Sequence, residues 1–356
     1  LQHIAIRAEL LDQIERVLDH GQFILGPEVY SFETSFAKYC GSPHAIGVDN
    51  GTSALILVLQ ALGIGPGDEV ITAPNSFLAS TSCIALVGAR PIFVDVADDY
   101  NIDSNLIEKA VTPQTKAILP VHLTGRPANM AAVMEIAQKH RLFVIEDCAQ
   151  AVGARYKGQH VGTFGDAGCF SLHPLKTLNA LGDGGIIVTQ NATLAERLRK
   201  ARNHGLRNRD ECEFWSDNCR LDTIQAAMLN VKMKYLDQWT TARRAIAATY
   251  LEQLRTYVET PEERDEEYAV YHTFVIQADR RDQLRDYLLK HGVQTKIHYP
   301  IPIHLQKSAE KLGYAKGSFP KTEEQSRRIL SLPIYPELSS NQLSLIISSI
   351  QNFYQS

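Results

Sequence analysis

Apolar residues recur along this chain in two rhythms that alternate in a regular way. Ile6, Leu10, Ile14, Val17 and Leu18 stand at helical spacing over residues 4–18, which predicts an amphipathic helix. Gly21 and Gly26-Pro27 end it. From residue 44 onward, short apolar runs take turns with helical stretches. The runs His44–Val48, Glu69–Ala73, Pro91–Val96, Lys116–His122, Leu142–Asp147, Ala167–Leu172 and Gly185–Thr189 read as strands. The stretches Ser53–Leu62, Leu78–Gly88, Ser104–Ala110 and Asn129–His140 read as helices between them. Apolar strands separated by helices predict an α/β fold, with a mostly parallel seven-stranded sheet covered by helices on both faces.

After about residue 238 the texture changes. A helical pattern runs from Trp239 to Tyr257, and the acidic stretch at residues 261–267 reads as a solvated loop. Strands are expected at Val270–Gln277 and Val293–His298, with helices at Arg281–His291, Thr322–Leu330 and Asn341–Phe353. The expectation is a large α/β domain over residues 21–238 and a smaller α+β domain over residues 239–356. The N-terminal helix, within residues 1–20, is expected to pack with the smaller domain.

Composition narrows the class. With 356 residues, 44% hydrophobic and 21% charged, the chain suits a two-domain globular enzyme. A net charge of -4 offers no basic field for nucleic acid. No apolar run approaches a membrane span. Cys40, Cys83, Cys148, Cys169, Cys212 and Cys219 form no CxxC pair and no metal-ligand spacing, so no metal is expected. They read as reduced thiols of a cytoplasmic protein. For Cys212 and Cys219, which share one loop, a disulfide is the competing reading.

The chemistry centres on two residues. Lys176 lies in the glycine-flanked stretch Gly168–Gly185, and Asp147 ends the apolar run that begins at Leu142. Ligands of open parallel sheets sit at the carboxyl ends of the strands, where Asp147 falls. A strand-end carboxylate with a loop lysine is what pyridoxal 5'-phosphate (PLP) requires. The amine forms a Schiff base with the cofactor aldehyde, and the carboxylate keeps the pyridine nitrogen protonated so that the ring takes up electrons. Taken singly, each residue also fits an ordinary role, a solvated lysine or a strand-end cap.

Other residues group around this pair. Asn50-Gly51-Thr52-Ser53 follows a strand and opens a helix, a setting for a phosphate. A plain N-cap by Thr52 or Ser53 is the competing reading. Phe77 is a candidate to stack on a cofactor ring, or else a core aromatic. Gln150 is a candidate for the ring hydroxyl and Ser171 for the phosphate. The polar stretch from Arg202 through Ala227 is long enough to cross a subunit boundary.

Read in order, several strings resemble the DegT/DnrJ/EryC1/StrS sugar aminotransferases, which are fold-type I PLP-dependent transferases. They are Phe23–Glu28, Asn50–Ala54, Val121–Pro127, Glu146–Gln150, Ser171–Lys176, Asn218–Asp222, His298–His304 and Leu332–Pro336. The resemblance covers nearly the whole chain. It implies that Lys176 is the Schiff-base lysine, that Asp147 pairs with the pyridine nitrogen and that Gln150 reaches the ring oxygen. It also implies that Gly51, Thr52 and Ser171 hold the phosphate and that Phe77 stacks on the ring. Asn218 would reach the phosphate of the neighbouring subunit, which implies a homodimer with shared active sites. The implied reaction is transamination of a nucleotide-linked keto sugar of the 3- or 4-keto-deoxyhexose type. Glutamate or glutamine would be the donor, and pyridoxamine 5'-phosphate the form of the cofactor between the two half-reactions. Arg202, His204, His298 and His304 are candidates for the substrate diphosphate.

Two positions depart from the family pattern: His173 stands where an aromatic is frequent, and Thr177 where an Asn is. Two related readings compete. A PLP-dependent sugar dehydratase carries a His in place of the lysine, whereas Lys176 is present here. A PLP-binding regulatory protein would keep the pocket without turnover. A nicotinamide oxidoreductase is excluded, because Gly63-Ile-Gly-Pro-Gly67 precedes a strand instead of following one.

Overall fold

The computed structural model describes residues 2–355. The seven expected strands form one sheet: β1 (His44–Val48), β2 (Glu69–Thr72), β3 (Arg90–Phe93), β4 (Thr115–Ile118), β5 (Phe143–Asp147), β6 (Ala167–Ser171) and β7 (Gly185–Thr189). Their order is β1-β7-β6-β5-β4-β2-β3. β7 runs antiparallel to β1 and β6, and the remaining neighbours are parallel.

Both faces of the sheet are covered, as the unbroken apolar runs require. The helices of this part are α1 (Arg7–His20), α2 (Pro27–Cys40), α3 (Gly51–Ala61), α4 (Ala79–Leu86), α5 (Met130–His140), α6 (Ala192–Ala201) and α7 (Thr223–Met233). On one face Ile46, Val48, Cys169 and Ile187 pack against Leu55 and Val58 of α3 and Ile84 of α4. On the other, Ala45, Phe170, Ile186 and Val188 pack against Phe32 and Phe36 of α2. Successive residues of one strand thus feed opposite cores. α2 begins at Pro27, whose missing N–H costs nothing in a first turn, and stops at Gly41, which takes the left-handed conformation with φ 71°.

The C-terminal part is built on the long helix α8 (Leu236–Leu254) and a two-stranded antiparallel sheet, β8 (Phe274–Gln277) with β9 (Ile329–Leu332). Helices α9 (Arg281–Lys290), α10 (Pro320–Arg328) and α11 (Ser340–Gln355) complete it. Tyr250, Phe274, Ile276, Leu284, Leu330 and Phe353 share its core.

Three expectations need correction here. Residues 293–298 do not form a strand, and Lys296 makes only an isolated bridge to Ser331. Val293 is buried, but Gln294 and Lys296 are exposed, so the segment has little apolar face to hold it on a sheet. The helix expected over Thr322–Leu330 ends at Arg328, and Ile329–Leu332 is a strand. That run is buried throughout and finds a partner ladder in β8, so tertiary pairing overrides local helical spacing. The N-terminal helix does not pack with the C-terminal part alone. Ile6, Leu10 and Val17 lie mainly on Ala227, Met228 and Val231 of α7, with Trp239 beside them.

The two parts are tied together close to the strand ends. Asp95, just beyond β3, accepts hydrogen bonds from Lys321 N (2.9 Å), Thr322 N (2.9 Å) and Thr322 Oγ1 (2.8 Å) at the start of α10. Ile303 N–H donates to the Pro74 carbonyl at 2.7 Å. The segment around His298 and Tyr299 is thereby laid over the carboxyl ends of the sheet. All six cysteines are free, and all but Cys212 are buried, so no Cys212–Cys219 bridge forms.

Candidate active site

Asp147 is the last residue of β5. Its N–H donates to the Pro120 carbonyl (2.9 Å), and its carbonyl accepts from His122 N (3.0 Å), so the backbone is fixed beyond the regular ladder. Its side chain is 3% exposed. Ser80 Oγ on α4 donates to Oδ2 at 2.7 Å, and Ala149 N donates to Oδ1 at 3.1 Å. Among the described residues no Lys or Arg forms an ion pair with it. A buried carboxylate without a cation is costly, so the site is built for a protonated group from outside the chain.

The neighbouring side chain, Glu146, points to the other face of β5 and serves the fold. It accepts from Gly162 N (2.7 Å), Phe164 N (2.8 Å) and Gly165 N (2.9 Å), and lies 3.0 Å from His122 Nε2. Ala128 N donates to His122 Nδ1 at 3.0 Å, which places the ring proton on Nε2, facing Glu146. Glu146, His122 and Cys148 have ligand atoms within 4.8 Å of one another. Because Glu146 and His122 Nδ1 already accept from backbone N–H donors, the cluster reads as structural and not as a metal centre.

Lys176 sits in the loop between β6 and β7. The loop is tied by Lys176 N to the His173 carbonyl (2.8 Å) and by Ala180 N to the Leu172 carbonyl (2.7 Å). No side chain among the described residues hydrogen-bonds Nζ. Burial pushes the amine below the ordinary lysine pKa, while the nearby charge of Asp147 opposes that shift. Two histidines face the same space. Burial lowers the pKa of both His272 and His298, and the charge of Lys176 adds to the effect. Burial, then the charge of Asp147, pushes the Tyr299 phenol up to about 12. Gln150 Nε2 donates to Tyr299 Oη at 3.4 Å, and Gln150 Oε1 accepts from Thr124 N at 2.7 Å. The rings of Phe77 and Tyr299 lie 5.7 Å apart, and Phe77 is half exposed over the strand ends.

Beside this cluster, α3 begins. Its N-cap is Asn50, whose Oδ1 accepts from Ser53 N at 2.8 Å. Neither Thr52 nor Ser53 is the cap, and the Thr52 hydroxyl has no partner among the described residues. A Cβ on Gly51 would lie 2.8 Å from Ser171 Cβ, so only glycine lets β6 and the first turn of α3 meet so closely. The first-turn N–H groups, the Thr52 hydroxyl and the neighbouring Ser171 form a cup suited to a phosphate. An unpaired buried carboxylate, an unpaired lysine amine and a helix-end phosphate cup together fit PLP.

Residues 5–351 match the DegT/DnrJ/EryC1/StrS aminotransferase family. The chain belongs to that family. It is 43% identical to the dTDP-3-amino-3,4,6-trideoxy-alpha-D-glucose transaminase of Streptomyces venezuelae, an alignment covering 98% of this chain and 93% of that one. It is also 43% identical to a "Pleiotropic regulatory protein" of Geobacillus stearothermophilus, over 99% of this chain and 96% of that one. Among solved structures, S. venezuelae DesV in complex with ketimine intermediate superposes with a TM-score of 0.98 at 42% identity, covering 100% of this chain and 96% of that one. The fold is that of the fold-type I PLP aminotransferases.

The remaining candidates of this DegT/DnrJ/EryC1/StrS chain sort by burial and partners. Arg202 pairs with Glu33 and donates to the Gly47 carbonyl (2.9 Å), so it serves the core. His304 is buried 3.0 Å from Glu323, which likewise occupies it structurally. His204 lies in a loop with φ 60°, its N–H bonded to the Asp217 carbonyl at 2.9 Å. Of the four residues weighed for the diphosphate, only His298 lies beside Lys176. Asn218 is exposed, bridged through its backbone to Asn203, and touches none of the cofactor candidates through a side-chain hydrogen bond in its own chain. Sequence alone does not single out Ser80, Thr124, Tyr299 and His272. Tyr299 lies inside the string at 298–304 that carries the resemblance, whereas Ser80 is one hydroxyl among several on α4. None of the helices among the described residues is long and apolar enough to cross a membrane.

Proposed function

We propose that this aminotransferase carries an amino group from glutamate or glutamine to a nucleotide-linked keto sugar, using PLP held between Asp147 and Lys176. The observation that carries the reading is the pair itself: a buried carboxylate and a lysine amine that feel each other's charge, neither of them in an ion pair among the described residues. When bound, PLP supplies a ring that takes up electrons from the bond being broken. Asp147 holds a proton at the pyridine nitrogen, oriented by Ser80. Lys176 Nζ carries the proton to and from the substrate carbon, and its lowered pKa leaves more of the amine free to accept one. Gly51, Thr52 and Ser171 would hold the phosphate, Gln150 the ring oxygen, and Phe77 would stack on the ring.

The name of the S. venezuelae relative puts its amino group on carbon 3, which supports a 3-keto acceptor over a 4-keto one. Exposed Phe23, Ile24, Leu175 and Trp215 offer apolar area for a second subunit, and Asn218 is free to reach its phosphate site. The buried reduced cysteines support a cytoplasmic setting. A division into units at residues 21–238 and 239–356 agrees with the separate core around Tyr250 and Phe274. The name of the Geobacillus relative favours a regulatory reading as the second one, and turnover decides between them. The test is amination of paired 3-keto and 4-keto dTDP-hexoses with each donor, read by mass spectrometry. Product from the 3-keto sugar supports the reading. Failure with both sugars and both donors, in protein that binds PLP, supports the regulator instead.

A further inference from the structure

The helix α7 carries a lysine that the proposed chemistry does not use. Lys232 is fully buried. Its Nζ donates to the Asn179 carbonyl (2.7 Å) and to Asn179 Oδ1 (2.6 Å), and lies 2.9 Å from His3 Nε2. The ammonium therefore meets two amide oxygens and an imidazole nitrogen and, among the described residues, no carboxylate. The donating ammonium fixes the Asn179 amide with its oxygen toward Lys232. The amide nitrogen is then left to donate to the Lys176 carbonyl at 3.0 Å and to Gln2 Oε1 at 3.3 Å. The same helix grips the loop again two residues later, where Gln225 Oε1 accepts from Leu181 N at 2.7 Å.

Stability alone does not account for this arrangement. A buried cation without an anion is destabilising relative to an apolar side chain of similar volume, and burial lowers the Lys232 pKa to about 8. What the lysine does supply is direction: it orients the one side chain that, among the described residues, donates to the carbonyl of Lys176.

We propose that Lys232 is a positioning residue that acts through Asn179 to hold the Lys176 carbonyl, and with it the direction in which the reactive amine projects. The proposal rests on the reading of Lys176 as the cofactor lysine. Two variants separate positioning from folding. Asn179→Asp keeps an acceptor for Lys232 and gives it a counter-charge, but removes the donor to the Lys176 carbonyl. Lys232→Met fills the space and removes all three Nζ contacts.

The experiment uses the full chain and three readouts: melting temperature, amide hydrogen exchange over residues 174–181 without cofactor, and the rate at which the visible band develops on adding PLP. Asn179→Asp should melt at or above the wild-type temperature. It should nevertheless exchange about tenfold faster in that loop and develop the band about tenfold more slowly, as expected for one lost hydrogen bond. In turnover, kcat should fall with KM little changed. Lys232→Met should show the same loop and rate defects. Wild-type exchange and band rate in both variants overturn the proposal. So does a defect confined to Lys232→Met and proportional to its loss of melting temperature. A wild-type protein that never develops the band sinks the cofactor reading of Lys176, while the exchange data still decide whether the clasp exists.

Discussion

At the scale of single residues, the account turns on which polar groups remain unsatisfied by the chain itself. Glu146 and Asp147 are adjacent and both buried, yet Glu146 is saturated by N–H donors while Asp147 is offered one hydroxyl and one N–H and no cation. Lys176→Ala should lower kcat by at least about 100-fold, the scale of a lost proton-transfer group. Borohydride treatment with PLP, followed by peptide mapping, should label Lys176 in the wild type and leave that peptide unlabelled in the variant. Ser80→Ala should leave Asp147 in place but weaken its orientation. One hydrogen bond to a charged group is worth about 1.5–3 kcal/mol, so the transamination rate should fall by roughly 10- to 100-fold without loss of the fold. The two central residues were legible in the sequence because their chemistry is rare in combination: a carboxylate ending an apolar strand and a lysine among glycines. Ser80 was not, since a serine on a helix face looks the same whether it meets water or a carboxylate. Tyr299 was not either, because its approach to Gln150 depends on where a distant segment is laid.

At the scale of elements, the two parts of the chain meet through a cap. Asp95 leaves the end of β3 and accepts two N–H groups and a hydroxyl at the start of α10, an N-cap supplied from elsewhere in the sequence. Asp95→Ala should cost about 1–2 kcal/mol, measured by urea unfolding with the slope unchanged. The Lys232 contact to the Lys176 loop has a pH signature of its own. Its pKa is lowered from 10.5 to about 8 in the folded chain, so between those values the unfolded chain binds more protons. Its destabilising contribution is therefore full below about pH 8 and is relieved as pH rises toward 10.5. His3 and Asn179 are the polar groups facing it, and no carboxylate opposes the shift. The stability of the wild type relative to Lys232→Met should accordingly rise across that window, and a flat difference would contradict the buried, unpaired lysine. The seven strands of the sheet were readable because both faces are buried, which leaves continuous apolar runs. The C-terminal strand Ile329–Leu332 was not, since its run continues the spacing of α10 and only its pairing with β8 decides its state. The unformed strand at 293–298 failed for the opposite reason: its residues favour extension, but its only bridge among the described residues is the isolated one from Lys296 to Ser331.

At the scale of the whole molecule, Asn218, Leu175 and Trp215 are exposed, and the Asn218 side chain makes no hydrogen bond among the described residues. If Asn218 completes a neighbour's phosphate site, mixing Lys176→Ala with Asn218→Ala should restore activity. Each heterodimer then holds one intact site, so random reassortment gives about a quarter of the wild-type rate. Sedimentation should report a dimer for each parent. No restoration on mixing would confine the site to one chain. In the sequence, the expectation of a shared site rests on resemblance and on the long polar stretch from Arg202 through Ala227, since a single chain does not record what lies across an interface. The most direct test of the central claim is the visible absorbance of the purified protein with PLP, before and after L-glutamate or L-glutamine. The account predicts a yellow band that either donor bleaches, absent in Lys176→Ala. No band after adding PLP, or a band of equal strength in Lys176→Ala, would contradict it.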